Sequence, residues 1–246
     1  MIIILTVLYL GTTTMKTSIL KTTLLSSALL GLTAVSSSAF AINAFTANYQ
    51  FAYNGKNVGS ATRQLSQQGN KWIYKFSAKA GVMASATETS QFTFNNNQVQ
   101  PLSFSRNTKI LVHNRSLSIN FNPASKTINT KKDDKARSFA WRSDALDELN
   151  VEIQVREDLK RNAMKSQYFI TDAKEVEGRR FVKQGSEKIK TSAGTYDTVK
   201  VVIQHGRSDR NTVFWLAPSL DYLPVKVTHK DEDASYSLNL TSYKAN

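Results

Sequence analysis

The chain has 246 residues, and its 32 basic against 19 acidic residues give a formal net charge of +13. It contains no cysteine, which excludes a disulfide framework, a thiolate metal site and a lipid-modified cysteine behind a leader. The basic residues are spread along the chain, with only short doublets such as Lys131-Lys132 and Arg179-Arg180. No dense nucleic-acid-binding patch is therefore predicted.

The first 41 residues have the pattern of a secretory signal peptide. Lys16 and Lys21 precede and flank an apolar stretch at residues 24–35, and the small residues after it end in the A-x-A sequence of residues 39–41. A positive start, a short apolar core and a small-residue exit define a cleavable signal, whereas a bilayer-spanning helix needs about 20 apolar residues. We predict cleavage after Ala41 and export to the periplasm.

The Met15-Lys16 pair favours Met15 as the true start, because a start at Met1 makes the signal unusually long. Residues 42–246 then form a single predicted β-rich domain with 30 basic and 19 acidic residues, a net charge of +11. No later apolar run is long enough for a transmembrane helix. The charge favours anionic partners, such as lipid or another anionic envelope component, or serves only to keep a basic surface soluble.

Period-two alternation is the dominant structural signal in the predicted domain. Apolar and polar side chains alternate through residues 45–53, which end at Asn54-Gly55, a dipeptide typical of tight hairpins because both residues tolerate positive φ. Trp72, Tyr74 and Phe76 alternate mostly with lysines in the same way. The pattern returns along the rest of the chain and predicts roughly a dozen antiparallel strands.

One segment departs from this pattern. Ser143 or Asp144 is suited to cap a helix, and acidic residues follow where a helix N-terminus favours them. Leu149 and Ile153 fit a helical stripe, although residues 149–155 also alternate as a strand does. We predict a helix near residues 144–163. The fold class is therefore mainly β: a single antiparallel meander curled into a barrel or half-barrel, with one helix.

Recognisable catalytic motifs are absent from the sequence, so no catalytic residue, metal ligand or cofactor is assigned. His205 and His229 continue the apolar faces of two predicted strands and form a weak candidate acid–base pair for a hydrolase. Both also lie at strand ends, where polar residues are expected for structural reasons alone.

Aromatic side chains on inward phases are the more informative group. They either pack a core or line a cavity for a lipid or other hydrophobic ligand. The predicted ligand-lining residues are Phe51, Tyr53, Trp72, Tyr74, Phe76, Phe104, Trp141 and Trp215.

The last third of the chain carries the most specific strings: AGTYDTVKV at residues 193–201, FWLAP at 214–218 and LDYLPVKV at 220–227. In this order they resemble a family of exported bacterial envelope proteins known as domain of unknown function 3108. The hairpin at residues 49–59 and the segment at 144–159 are also similar to that family. The resemblance implies an exported, β-rich protein and no established activity. The family is also broadly similar to curved-sheet periplasmic carriers that handle lipids or acyl chains, such as the lipoprotein-localisation factors. That similarity concerns the fold alone.

Three functional hypotheses follow. The first is a periplasmic binding or carrier protein that holds a lipid or other hydrophobic ligand on a concave apolar face. The second is a structural or protein-interaction module of the envelope with a packed interior and no ligand, which a large exposed apolar patch favours. The third and weakest is a hydrolase that uses His205 and His229.

Overall fold

The computed structural model describes residues 42–206, 209–232 and 234–246. The predicted signal peptide at residues 1–41 lies outside the described residues, so its prediction stays untested. The described residues form one large β-sheet and one α-helix.

Within these described residues, fifteen strands follow one another, and their sheet order is almost the chain order. The strands are β1 (Phe45–Tyr53), β2 (Lys56–Gln68), β3 (Lys71–Ala80), β4 (Ala84–Asn95), β5 (Gln98–Ile110), β6 (His113–Asn122), β7 (Thr127–Lys132), β8 (Lys135–Ala140), β9 (Ala145–Leu146), β10 (Gln167–Thr171), β11 (Val176–Thr191), β12 (Gly194–Gln204), β13 (Arg210–Ala217), β14 (Leu223–Asp231) and β15 (Ala234–Ala245). The sheet runs from β8 back to β1, then from β15 back to β9.

This topology confirms the predicted antiparallel meander. Every neighbouring pair is antiparallel except β9 and β10, and β1 pairs with β15, which joins the first and last strands in the middle of the sheet. The two outermost strands, β8 and β9, do not pair with each other. The sheet is thus a curled half-barrel, and side-chain contacts from β7 and β8 to the carbonyl of Ala173 bring its two flanks together.

Alternation places one face of the sheet inside. In β3, Trp72, Tyr74 and Phe76 are buried while Lys71 and Lys75 are exposed, as expected for a strand with one face on the core and one in water. The Asn54-Gly55 turn is also confirmed, with φ of 45° and 75° at its two residues. Because strands alternate in direction, the β1–β2, β3–β4 and β5–β6 turns all lie at one end of the sheet.

The predicted helix is confirmed, but its predicted boundaries are wrong. The α-helix α1 covers Asn150–Lys160, whereas residues 145–146 form the short strand β9. Neither Ser143 nor Asp144 caps it. Instead the buried carboxylate of Asp147 accepts hydrogen bonds from the backbone N–H groups of Leu149 and Asn150, at 2.9 and 2.8 Å. Asp147 therefore satisfies the helix start in the way an N-terminal cap does.

Candidate functional site

Helix α1 lies inside the half-barrel. All of its residues from Asn150 to Leu159 are buried. A helix buried on every side is normally apolar all round, but α1 carries Glu152, Arg156, Glu157 and Asp158. Buried charges are costly without partners. Glu157 and Asp158 pair with Lys160 and Arg161 at the end of the same segment, and the surrounding strands supply the other partners.

The first of these partners is Arg63 on β2. Its side chain is fully buried and pairs with the carboxylate of Glu152, and its guanidinium also donates a 2.7 Å hydrogen bond to the Tyr74 hydroxyl. Tyr74 in turn donates to Glu152 at 2.8 Å. Burial raises the pKa of Tyr74 well above its usual range, which keeps this hydroxyl protonated as a donor. The triangle fixes α1 against β2 and β3.

A second ionic cluster lies at the start of the helical segment. Arg106 on β5 contacts Glu88 on β4 at 2.6 Å and Glu148 at 2.5 Å. Arg179 on β11 approaches Glu148 from the opposite wall at 3.9 Å. Glu148 thus lies between cations from both halves of the sheet, and the cluster connects the two halves through the segment that leads into α1.

The cap residue Asp147 is also a buried acidic group that polar contacts hold in place. Its carboxylate also accepts hydrogen bonds from the Ser90 hydroxyl at 2.6 Å and the Asn150 side-chain amide at 2.6 Å. Burial raises the pKa of Asp147 to about 7, against the opposing effect of these hydrogen bonds. The helix start is therefore held by a polar group that has no contact with water.

Little empty space remains around α1. The space between the helix and β11–β13 has a cavity volume of about 20 Å³, close to what one water molecule requires. It is lined by Glu148, Leu149, Val151, Glu152, Val155, Phe181, Val201, Ile203, Phe214 and Leu216. An acyl chain does not fit into this cavity while α1 is in place.

Five of the predicted ligand-lining residues lie in the interior, as their phase predicts. Phe51, Trp72, Tyr74, Phe76 and Phe104 are all at most 9% exposed and belong to one apolar core. They pack against other core side chains rather than facing an open cavity. Their role as ligand contacts remains a prediction.

The other three differ from the expectation. Tyr53 is 42% exposed at the end of β1, where its ring lies 4.9 Å from that of Tyr236. Trp141 is half-buried and follows the last residue of β8.

Trp215 points away from the interior, which corrects its predicted place on the inner face. It lies opposite Lys200 on β12 and Lys226 on β14, and directly paired residues share a face of a sheet. The two ammonium groups lie 5.5 and 4.7 Å from its ring centroids, and Glu187 accepts a hydrogen bond from its indole N–H. Lysine stems bury this tryptophan on the outer face.

His205 and His229 are brought together, with ring centroids 5.8 Å apart. The hydroxyl of Thr212 bridges them, 3.0 Å from His205 Nε2 and 2.7 Å from His229 Nδ1. Burial, with the nearby charge of Arg210, lowers the pKa of His205 to about 3 and that of His229 to about 4. Because Thr212 is fully buried, a substrate cannot reach the hydroxyl that the pair contacts, and the cluster has the character of a structural contact.

Sequence reasoning missed the interior charges. Arg63, Glu88 and Arg106 fall on the inward phases of β2, β4 and β5, in line with buried apolar neighbours. The sequence did contain a signal for them: a charged residue at an inward-facing position of a strand needs a buried partner.

It also missed an exposed apolar surface at the end of the sheet that carries the β3–β4 and β5–β6 turns. Val82 and Val112 are 101% and 84% exposed, and Met83 and Leu111 are 62% and 57% exposed. The backbone N–H of Leu111 donates a 2.7 Å hydrogen bond to the carbonyl of Met83. We call residues 80–84 and 110–113 together the paired tips.

Charge is distributed unevenly around these tips. From residue 42 to residue 132 the chain has eleven lysines and arginines and one acidic residue, Glu88. Glu88 is buried against Arg106. The outer face of β1–β6 is therefore cationic, with no exposed carboxylate among residues 42–132. This asymmetry is visible in the sequence as a charge difference between the two halves.

Within residues 42–206, 209–232 and 234–246, no group of three or more histidine, aspartate or glutamate side chains is arranged to hold a metal ion. In the same part of the chain, no helix is long and apolar enough to cross a membrane.

Comparison with known proteins places the chain in a family. The model of the family described as "Protein of unknown function (DUF3108)" matches residues 48–241, and the chain belongs to that family. A search of curated proteins finds no match. Among solved structures, the chain is similar to a beta-barrel-like protein of domain of unknown function DUF1849 from Brucella abortus, with 10% identity and a TM-score of 0.55. The match covers 83% of this chain and 98% of that one, and it supports the barrel-like fold alone.

Proposed function

We propose that this member of the family is an exported envelope protein that acts by binding and not by catalysis, and that its partner is lipid or another anionic envelope component met on its outer surface. The observation that carries the proposal is the filled interior. Helix α1 and its ionic partners occupy the space that an internal ligand needs, and about 20 Å³ remains beside them.

The bonds that hold α1 argue against its easy withdrawal. An acyl chain in the half-barrel requires α1 to move, which separates Glu152 from Arg63 and Glu148 from Arg106. Leaving one member of a buried ion pair without its partner costs about 3–5 kcal/mol. Moving α1 takes Glu152 away from Arg63 in this way, whereas Arg106 keeps its contact with Glu88 if Glu148 moves with the helix. A rigid scaffold fits these contacts better than a carrier that opens and closes.

The outer surface has the features that binding to an anionic envelope component requires. The predicted mature chain has a net charge of +11, and its first 91 residues, 42–132, expose cations without carboxylates. Fields of one sign attract oppositely charged surfaces over about a Debye length, close to 8 Å at physiological ionic strength. The predicted signal peptide supports an envelope location, where anionic lipid head groups are abundant.

Native mass spectrometry of the protein purified from the periplasm, with organic extraction, tests this proposal. We expect a mass that begins at Ile42 and carries no lipid held one per chain, and we expect the same protein to sediment with vesicles of anionic lipid. Failure to sediment with them at low salt would overturn binding of anionic lipid at the surface. A lipid or acyl species held one per chain would overturn surface binding and favour the internal carrier. A mass that retains residues 1–41 would overturn the exported location.

A further inference from the structure

We infer that the paired tips, residues 80–84 and 110–113, insert into the surface of an anionic lipid bilayer. The inference rests on the proposed function, since it names the place on the outer surface where lipid is met. A fluorophore placed on the tips reports on them directly, and its result does not depend on whether lipid is found inside the protein.

Exposure of apolar side chains is the first observation. Val82 and Val112 are almost fully exposed, and Met83 and Leu111 are more than half exposed, at one protruding end. Contiguous exposed apolar surface marks sites of interaction. Scattered exposed apolar residues need no explanation, but these four come from two adjacent turns that are hydrogen bonded to each other. The four side chains therefore form one continuous apolar patch that the fold holds together.

Turn chemistry is the second observation. Leu111 has φ of +54° at the β5–β6 turn, a conformation that favours Gly, Asn or Asp. Comparable turns of the same sheet follow that preference: Asn54-Gly55 joins β1 to β2, and Asn96-Asn97 joins β4 to β5. A leucine at this positive-φ position breaks a local rule, and such departures are expected where a residue serves binding instead of folding.

Charge close to the tips is the third observation. Lys79, Ser85 and Lys109 lie directly opposite one another on β3, β4 and β5, so both lysines share the outer face one row below the tips. Arg115 on β6 is also exposed. The β7–β8 turn beside them carries Asp133 and Asp134, and the Asp133 carboxylate accepts a hydrogen bond from the backbone N–H of Ser116. Cations thus flank the apolar tips on the strands that carry them.

These features favour a bilayer over a protein partner. A specific protein interface buries about 1,200–2,000 Å² in total, and the apolar tips alone are too small and too convex to form the centre of one. Surfaces that lie in the lipid interface combine a few inserted apolar side chains with flanking lysines and arginines that meet anionic head groups. The paired tips have this composition and geometry.

An environment-sensitive fluorophore at a single cysteine tests the inference, because the chain has no other thiol. Val112→Cys labels the tips, and Asn70→Cys labels the exposed β2–β3 turn at the opposite end as the matched control. We expect the probe at residue 112, and not at residue 70, to shift to the blue with vesicles of phosphatidylglycerol and phosphatidylcholine. The shift should weaken with added salt and with vesicles of phosphatidylcholine alone.

A second variant separates binding from folding. Leu111→Asn suits the positive φ of residue 111, and Val112→Ser replaces the neighbouring apolar side chain by a small polar one, so the fold should be kept while the apolar tip is lost. Vesicle binding of this unlabelled double variant, measured by flotation, should fall about tenfold or more. Undiminished binding, or a probe at residue 112 that does not respond to anionic vesicles at low salt, would overturn bilayer insertion and leave the tips to a protein partner.

Discussion

The ion pair between Arg63 and Glu152 offers a quantitative test of the filled interior. Arg63→Met removes a fully buried guanidinium that contacts Glu152 and donates to Tyr74. The carboxylate that remains keeps the 2.8 Å bond from Tyr74 but loses its nearest cation, since Arg156 lies 3.9 Å away. We expect the free energy of unfolding to fall by about 3–5 kcal/mol, the cost of an uncompensated buried charge.

Removing both partners should cost less than the single changes suggest. Arg63→Met combined with Glu152→Met replaces the pair by apolar side chains, which is often near neutral in measured cases. Urea unfolding of the wild type, both single variants and the double variant gives a coupling energy, expected to be about 2 kcal/mol or more. Lys75→Met, at an exposed position of β3, serves as the control and should change stability by less than about 0.5 kcal/mol. Single variants as stable as this control would refute the assigned role of the pair.

Three further changes have defined outcomes. The folded pKa values of His205 and His229, about 3 and 4, lie below the unfolded value near 6.5, so the contribution of these two residues to stability should be constant above about pH 6.5 and fall as pH drops below it. Asp147, whose pKa is raised from 3.8 to about 7, acts with the opposite sign between these two values, so the histidine contribution is read from the difference between the variant and the wild type. His229→Gln should reduce the slope of unfolding free energy against pH by about 1.4 kcal/mol per pH unit, the effect of one titrating proton, when urea unfolding is measured at several pH values. An unchanged slope would contradict the depressed pKa of His229. Gly59→Ala should lower stability by about 1–3 kcal/mol in thermal unfolding, because a Cβ there overlaps the backbone carbonyl of Lys79, and a neutral result would contradict that close approach. Leu111→Asn alone should preserve or slightly raise the melting temperature, since asparagine tolerates the positive φ of this turn, whereas a large loss would show that the leucine packs in the fold.

Local pattern was sufficient to predict most of the fold. The alternation of β3 and the Asn54-Gly55 turn both appear in the structure as the sequence indicates. The helix was harder, because residues 149–155 satisfy both a strand and a helix period. Its start depends on Asp147, whose side chain is held by Ser90 on a strand far away in sequence. Local capping rules cannot reveal a cap that tertiary contacts hold in place.

The interior site was less accessible to prediction because its pairs are distant in sequence. Arg63 and Glu152 are separated by 89 positions, and Arg106 and Glu148 by 42. Phase shows that such residues point inward but does not show which strands face each other across a curled sheet. The lining aromatics illustrate the same limit: their inward phase was correct for five positions, while the helix that fills the space in front of them depends on the assembled fold.

Trp215 shows a different limit. The segment from Phe214 to Leu216 is buried on both faces, so burial alone did not identify the inner one. The outer face is covered by lysine stems from β12 and β14. Long cationic side chains bury apolar surface while keeping their charges in water, which makes an outward-facing tryptophan resemble a core residue in the sequence.

The most direct measurement compares how tightly the protein binds anionic vesicles when α1 is free to move and when α1 is crosslinked to the sheet. Val99 donates its backbone N–H to the side chain of Gln154 on α1 at 2.8 Å, so Val99→Cys with Gln154→Cys allows a short, reversible thiol crosslink in a chain that has no other cysteine. If the partner is met outside a filled half-barrel, the locked protein should bind anionic vesicles as tightly as the unlocked protein. Binding that is lost on locking and returns on release would contradict this, and would show that α1 must move for lipid to bind.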